Sequence, residues 1–597
     1  MTAIDEPTEV LWNLDTLLGD DDVDALLDRA DELAAELAEA RGTIASLDAA
    51  GVAAHLRLNE QLQETLGRVS NYAQLRYAAD TADEAAGALQ MRVQERAAAI
   101  ETQLVFFQLE WAALDDDAVA ALVDDPHLVF ARHHLVSARR YRDHLLTEPE
   151  EQLLTEKSVT GANAWTRLFD ELSSAITVEL PADDGTTTRT ASLEEGLSML
   201  GSPDREVRRV AAEAVTEGLQ PGIRTRAYVF NTLLADKSID DRLRSYPSWV
   251  SSRNLANEAS DASVQALVDA VVNRYDIPQR WYRLKADILG YRLTDFDRNA
   301  SVADAETKIG WGDGRDLVLD AYGSFSDELA GIARRFFDES WIDAPVRPGK
   351  RPGAFCAYTV PSHHPYVLLN WTGRQRDVLT LAHELGHGLH GFLSRGQGVF
   401  HQWTPLTLAE TASVFGETVT LGRLLDETTD PAARLDLLAT SVEGSIASVF
   451  RQIAMNRFED RVHTDRRESG ELSVDRFSEL WVETQSDLFG DSVEITEGYR
   501  SWWSYIPHFI HVPGYVYAYA YGQLLALSVY ARYEARGADF VPAYLELLSS
   551  GGSLPPEELG RIVDCDLADP GFWDAGLEIV SRQVDDAEAA ATAAGRR

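Results

Sequence analysis

LAHELGHGLH, residues 381–390, places three histidines and a glutamate within ten positions of a chain that holds 14 His among 597 residues. His383 and His387 lie four apart. On a helix that spacing puts both imidazoles on one face, one turn apart, where they can share an ion. Glu384 follows the first and can reach a water on that ion. This is HExxH, the zinc-peptidase pattern. Zinc held by three protein ligands keeps one position for water and lowers its pKa to about 7. A chance HExxH in a chain this long is expected only about a few times in a hundred, so the flanking sequence matters. A strand-like segment precedes it, a helix start is expected at Asp377, and no proline interrupts it.

The third ligand separates two classes. One continues as HExxHxxGxxH. Here His390 stands at the Gly position and Leu393 at the last His position, which excludes that class. The other takes a Glu from a following helix. TPLTLAETASVFGET starts a helix after Pro405, with Glu410 and Glu417 seven apart on roughly one face. Glu410 is expected as third ligand, and Glu417 as the acceptor that orients a ligand histidine. His390 reads as a packing residue or one that supports a ligand, and His363, His364 and His401 as loop residues.

Outward from this core, AFCAYT and YVLLNW read as two short strands flanking VPSHHP. Residues 20–150 read as helical hairpins, with VDALLDRADELAAELAEARG stopping at Gly42. AITVELPADDGTTTRTASL, 175–193, reads as a β-hairpin around Asp-Gly. Helices resume at 193, with Ser202-Pro203-Asp204 as a cap and first turn, and, after the strands, from 377 almost to the end. The tail, DDAEAAATAAGRR, is expected to fray.

The 97 acidic and 54 basic residues give a net charge of −43, and only five of the basic residues are lysine. Nucleic acid is not expected as a partner for such a surface, which lacks the basic patches that phosphates need. An acidic, solvated surface suited to high salt is expected, with self-repulsion at low salt. Two cysteines, Cys356 and Cys565, cannot make a disulfide framework and fit a reducing, cytoplasmic setting. MTAIDEPTEV lacks the order of a signal peptide. Val512–Ala531 carries no charge, but its four alternating tyrosines favour a buried helix over a membrane span.

HELGH, the Glu of LAETAS and the Glu of FGE together resemble the oligoendopeptidase F branch of the thimet oligopeptidase family of zinc peptidases. WNLDTL, SPDREVRR, KRPGAFC, PYVLLNW, YIPHFI…YVYAYAYG and LADPGFWDAGLEIV match that branch in order, across nearly the whole chain. The resemblance implies a mainly α fold, a multi-helical ellipsoid with a deep central channel and a small β-sheet beside the zinc helix. It implies short unstructured peptides as substrates. GAFCAYT and YVLLNW match the region whose strand pairs with bound peptide, which recognises backbone more than sequence. His508, Tyr515 and Tyr519 match residues that face the scissile carbonyl, with Tyr515 and Tyr519 expected on one helical face. His511 departs from the family pattern and leaves the inward-facing histidine open between His508 and His511.

The expected organisation is an N-terminal helical region at 1–110, an oligopeptidase F N-terminal-type region with the hairpin at 111–200, a catalytic domain at 201–583 and a low-complexity tail at 584–597. The expected chemistry is hydrolysis of internal peptide bonds. His383, His387 and Glu410 hold one Zn2+ per chain, and Glu384 moves the proton. Binding of peptides, not membranes, is expected, with a monomer favoured over an oligomer. The rivals are a zinc carboxypeptidase, for which Arg351 and Arg374 are available anchors, and a non-catalytic peptide-binding protein.

Overall fold

The computed structural model describes residues 6–182, 187–302, 308–569 and 571–597. It is 71% helical with a few small sheets, the mainly α class expected. No helix among the described residues is long and apolar enough to cross a membrane. The chain divides into two compact units, each assembled from three separate segments.

The first unit comprises Met1–Asp143, Glu306–Glu427 and Leu525–Ala568. Its N-terminal part is the expected helical hairpin. Val23–Ala38 carries Leu26, Leu27, Ala30, Leu33, Ala34 and Leu37 at three- and four-residue spacing, and all six are buried. They pack on Leu62, Leu66 and Val69 of the Ala49–Ala79 helix and on Val93 and Ile100 of the Glu84–Ala113 helix. Each of these helices starts where an aspartate, Asp22, Asp48 or Asp83, accepts a free backbone N–H of the first turn. Gly42 lies beyond the first helix in a left-handed turn, φ 77°.

The same unit holds a three-stranded sheet in the order Ile342–Pro345, Tyr366–Trp371, Phe355–Ala357. The first pair is parallel and the second antiparallel, with Phe355 opposite Leu368 and Ala357 opposite Tyr366. Both expected strands are present, and Ile342–Pro345 is a third. YVLLNW is therefore the central strand, with its backbone paired on both sides. Only Phe355–Ala357 of the two expected strands is an edge with backbone groups to offer. The Gln375–Ser394 helix follows directly, starting two residues before the expected Asp377. Asp377 instead caps it, accepting the N–H groups of Thr372 and Arg374.

The second unit comprises His144–Ala305, Thr428–Leu524 and Asp569–Arg597. Thr177–Pro181 and Thr188–Ser192 form the expected antiparallel hairpin, Thr177 opposite Ser192. The Asp184-Gly185 turn lies outside the described residues. Aromatic side chains fill this core: Phe230 stacks on Phe477 at 5.1 Å, and Phe458 meets Trp481 at 5.4 Å and Phe509 at 5.1 Å. The tail does not fray as expected. Phe572–Ala593 is one helix, and Val584, Ala587, Ala590 and Ala591 are buried on one face of it. Alanines at this spacing supply both a helix former and a close-packing surface.

Candidate metal and catalytic site

The Gln375–Ser394 helix puts His383 and His387 one turn apart, with ring centroids 5.0 Å from each other. Glu410 comes from the segment after Pro405. The helix expected there is broken in two, Leu406–Ala409 and Thr411–Glu427, and Glu410 is the residue at the break. Its Oε2 lies 3.4 Å from His383 Nε2 and 3.6 Å from His387 Nε2. Among the described residues, these three form the His, Cys, Asp and Glu group close enough to hold a metal ion. Donors at about 2.0–2.2 Å around a tetrahedral ion stand about 3.4 Å from one another, so the spacing fits such an ion.

The helix after the break touches the histidine helix. A Cβ on Gly386 would lie against Ala412 O and 2.6 Å from Ser413 Cα. A Cβ on Gly416 would overlap the Tyr322 hydroxyl, which donates to Ala382 O at 2.8 Å. The glycine inside HELGH thus lets the second helix approach closely enough for Glu410 to meet both histidines.

The far side of each ligand is fixed as well. His383 Nδ1 lies 3.3 Å from Glu417 Oε2, as expected for an orienting acceptor. The His387 ring hydrogen-bonds the Ala409 backbone. Ser413 Oγ donates to Glu410 Oε2 at 2.6 Å. Sequence reading missed Ser413 and Ala409, although a serine three residues beyond Glu410 was visible in ETAS. Burial lowers the basicity of both imidazoles. At His383 the Glu417 and Glu410 carboxylates outweigh it and raise the pKa to about 9, while at His387 burial prevails and takes it to about 4.

Glu384 is 8% exposed. Burial raises its pKa to about 7, with His383 drawing it down and Glu410 pushing it up. A carboxyl so tuned can take up and release a proton near neutral pH. Cys356, on the edge strand, is a free thiol whose pKa burial and Glu384 push up. His390 is 2% exposed with neither ring nitrogen hydrogen-bonded, which suits the packing role expected.

The remaining expected residues belong to the second unit. His508 Nε2 lies 3.3 Å from the Tyr519 hydroxyl, and Tyr519 meets Tyr515 edge-on at 5.1 Å. His511 instead turns to Asp170, 2.7 Å away, and is 38% exposed. Of the two histidines, it is His508 that joins the tyrosines. Tyr515 and Tyr519 do not share a helix as expected: the helix starts at Tyr517, and Tyr515 ends a turn closed by its N–H to Val512 O. Tyr517 and Tyr521 face elsewhere, to Asn257 and Ser263. The alternating tyrosines thus divide into a pair fixed by polar core residues and a pair beside His508.

Two family models match the chain: peptidase family M3 over residues 325–579, and oligopeptidase F over residues 110–177. The chain carries a peptidase family M3 domain. Within that family it is similar to the oligopeptidase PepF of Bacillus subtilis, 25% identical over 97% of this chain and 87% of that one. It is also similar to the group B oligopeptidase PepB of Streptococcus agalactiae, 25% identical over 88% of each chain. The crystal structure of oligoendopeptidase-F from Enterococcus faecium shares the fold, with a TM-score of 0.73 and 21% identity over 95% of this chain and 98% of that one. The matched M3 region contains His383, Glu384, His387, Glu410 and the His508–Tyr519 segment.

Proposed function

We propose that this M3 chain is a zinc metallo-oligoendopeptidase that cleaves internal bonds of short unstructured peptides. The observation that carries the proposal is the spacing of Glu410 Oε2 from the two imidazoles, 3.4 and 3.6 Å, with the buried Glu384 carboxyl beside them. Two imidazoles and one carboxylate suit Zn2+ among the common divalent ions. When bound, zinc supplies Lewis acidity and lowers the pKa of water.

The chain's own residues do the rest. Glu384 takes the proton of the attacking water and later gives it to the leaving amine. Glu417 and the Ala409 carbonyl keep the ligand rings in one orientation. The Phe355–Ala357 edge pairs with extended peptide through backbone hydrogen bonds, so side-chain selectivity is low. The family resemblance gives His508, Tyr515 and Tyr519 the role of hydrogen-bonding the oxyanion that forms on the peptide carbonyl. Removing one such donor costs about 10²–10³ in rate in comparable sites. The two free cysteines suit work in a reducing compartment such as the cytoplasm.

The test is cleavage of an internally quenched peptide of about ten residues, blocked at both ends, with a folded protein as parallel substrate. Cleavage of the peptide alone, lost to a chelator and restored by Zn2+, is the expected result. Cleavage only when the C-terminus is free would replace the endopeptidase reading with a carboxypeptidase. Stoichiometric zinc with no cleavage of either peptide would leave a binding protein.

A further inference from the structure

Glu459 is a buried carboxyl that the mechanism above does not use. It lies on the Arg451–Ser469 helix and is 0% exposed. A carboxyl taken out of water is costly unless it is hydrogen-bonded. Its Oε1 accepts one bond, 2.8 Å from the backbone N–H of Gly514, and its Oε2 has no hydrogen-bond partner. A leucine would fill the same space without that cost. What the carboxyl does is hold one particular N–H, in the residue before Tyr515.

The turn it holds is gripped from the other side. Arg253 Nε points at Pro513 O from 3.5 Å, and its guanidinium lies 6.0 Å from the centre of the Tyr515 ring. Gly514 has φ +74°, and a Cβ there would stand 3.2–3.5 Å from Val250, Trp249 and Arg253. Trp249 is itself fixed to the Glu459 helix. Its Nε1 donates to Asp460 at 2.8 Å, and its ring stacks on His463 at 4.3 Å. The Val512–Tyr515 turn therefore sits between a helix that takes its N–H and a segment that takes its preceding carbonyl.

We infer that Glu459 and Arg253 are positioning residues, which clamp the Val512–Tyr515 turn at Gly514 N–H and Pro513 O and so set where the Tyr515 hydroxyl stands. The inference rests on the reading of Tyr515 given under the proposed function. Burial raises the Glu459 pKa to about 8, with Gly514 and Arg253 drawing it down, so near neutral pH the group accepts this bond largely as a neutral acid. A Gln amide oxygen can accept the same bond.

The test uses the full zinc-loaded chain and the end-blocked peptide, and reads kcat and KM for Glu459→Gln, Glu459→Leu, Arg253→Met, Tyr515→Phe and the two double variants with Tyr515→Phe. A misplaced group costs up to about 10² in rate, so Glu459→Leu and Arg253→Met are expected to lower kcat about tenfold or more, with KM within about twofold of wild type. Glu459→Gln is expected to stay within about threefold of wild-type kcat, because it keeps the acceptor. In the Tyr515→Phe background, the further loss from either positioning variant is expected to fall below about twofold, since coupled residues are not additive. Full additivity with Tyr515→Phe, or no rescue by Gln, overturns the inference. Wild-type kcat in Tyr515→Phe sinks the reading of Tyr515 and this inference with it. A Tyr515→Phe defect with unaltered Glu459→Leu and Arg253→Met sinks the inference alone. Should Glu459→Leu fail to fold, the half-buried Arg253→Met carries the same comparison.

Discussion

Glu417 stands behind His383, its Oε2 3.3 Å from the ring Nδ1, while the opposite ring nitrogen faces Glu410 at 3.4 Å. The imidazole is thus held in one orientation, with Nδ1 toward Glu417 and Nε2 toward Glu410. Glu417→Gln is expected to weaken metal affinity about 10–100-fold with the fold intact. Competition against a chelator of known affinity measures this, and an unchanged Kd would show that Glu417 does not orient the ligand.

Gly386 is the contact point between the helix that carries His383 and His387 and the helix that follows Glu410. Any Cβ there meets Ala412 O and Ser413 Cα, which are backbone and cannot swing away. Overpacking of this kind costs about 1–3 kcal/mol. Gly386→Ala is expected to lower the melting temperature and also the bound zinc per chain, because the helices must part just where Glu410 reaches across. A variant that melts lower but binds zinc as tightly as wild type would separate the packing from the site.

The candidate metal cluster was legible because its signal is local. HELGH puts His383 and His387 on one face by helical periodicity alone, and Glu410 is the expected third member once the HExxHxxGxxH class is excluded. Its place at a helix break was not legible. How closely the helices approach depends on Gly386 and Gly416, and no local pattern records that. The third strand, Ile342–Pro345, was missed because its four residues are nearly all buried and so show no alternation. Tyr515 was placed on a helix because its spacing from Tyr519 is helical. The Gly514 turn, held by residues some 55 and 261 positions away in sequence, overrides that spacing. The tail was misjudged from its low complexity, although its alanines form one buried face.

Glu384 is not among the three donors that converge at the metal position, yet it is the proton carrier of the proposed mechanism. Glu384→Gln is nearly isosteric and cannot take a proton. Zinc content is expected to stay at one per chain while kcat falls by about 10²–10⁴, the usual contribution of a general base. Metal analysis and peptide cleavage on the same preparation decide it. Retained turnover would remove Glu384 from the mechanism.

His364 predicts how stability responds to acid. Its ring stacks on Trp341 at 4.0 Å, and burial takes its pKa down to about 4, with the Pro365 backbone opposing. The unfolded chain has the ordinary value of about 6.5 and so binds this proton more readily than the folded one. The stabilisation from a neutral His364 is fully present above the unfolded value and is lost as pH falls through the folded one. His364→Phe keeps a ring on Trp341 and removes the titration. Its melting temperature is expected to fall less steeply than wild type between pH of about 6.5 and 4. Parallel slopes in the two proteins would assign the acid sensitivity to other groups.

Salt acts on this chain through two opposed effects, and their sizes decide the sign. Screening weakens the exposed ion pairs, such as Arg29–Glu32 and Arg209–Glu206. Exposed pairs contribute only about 0–1 kcal/mol each. Screening also relieves the mutual repulsion of the excess carboxylates, 97 − 54 = 43 beyond the cationic groups. The Debye length shrinks from about 10 Å at 0.1 M to about 3 Å at 1 M, so most of that long-range repulsion disappears over this range. Repulsion sums over the whole surface while the pairs act singly, and relief of repulsion is therefore the larger effect. The melting temperature is expected to rise from low salt to 1 M NaCl, and to rise again in potassium chloride by a similar amount, since screening does not distinguish the cations. A melting temperature that is flat or falling across the series would mean that the paired charges, not the excess, govern the surface.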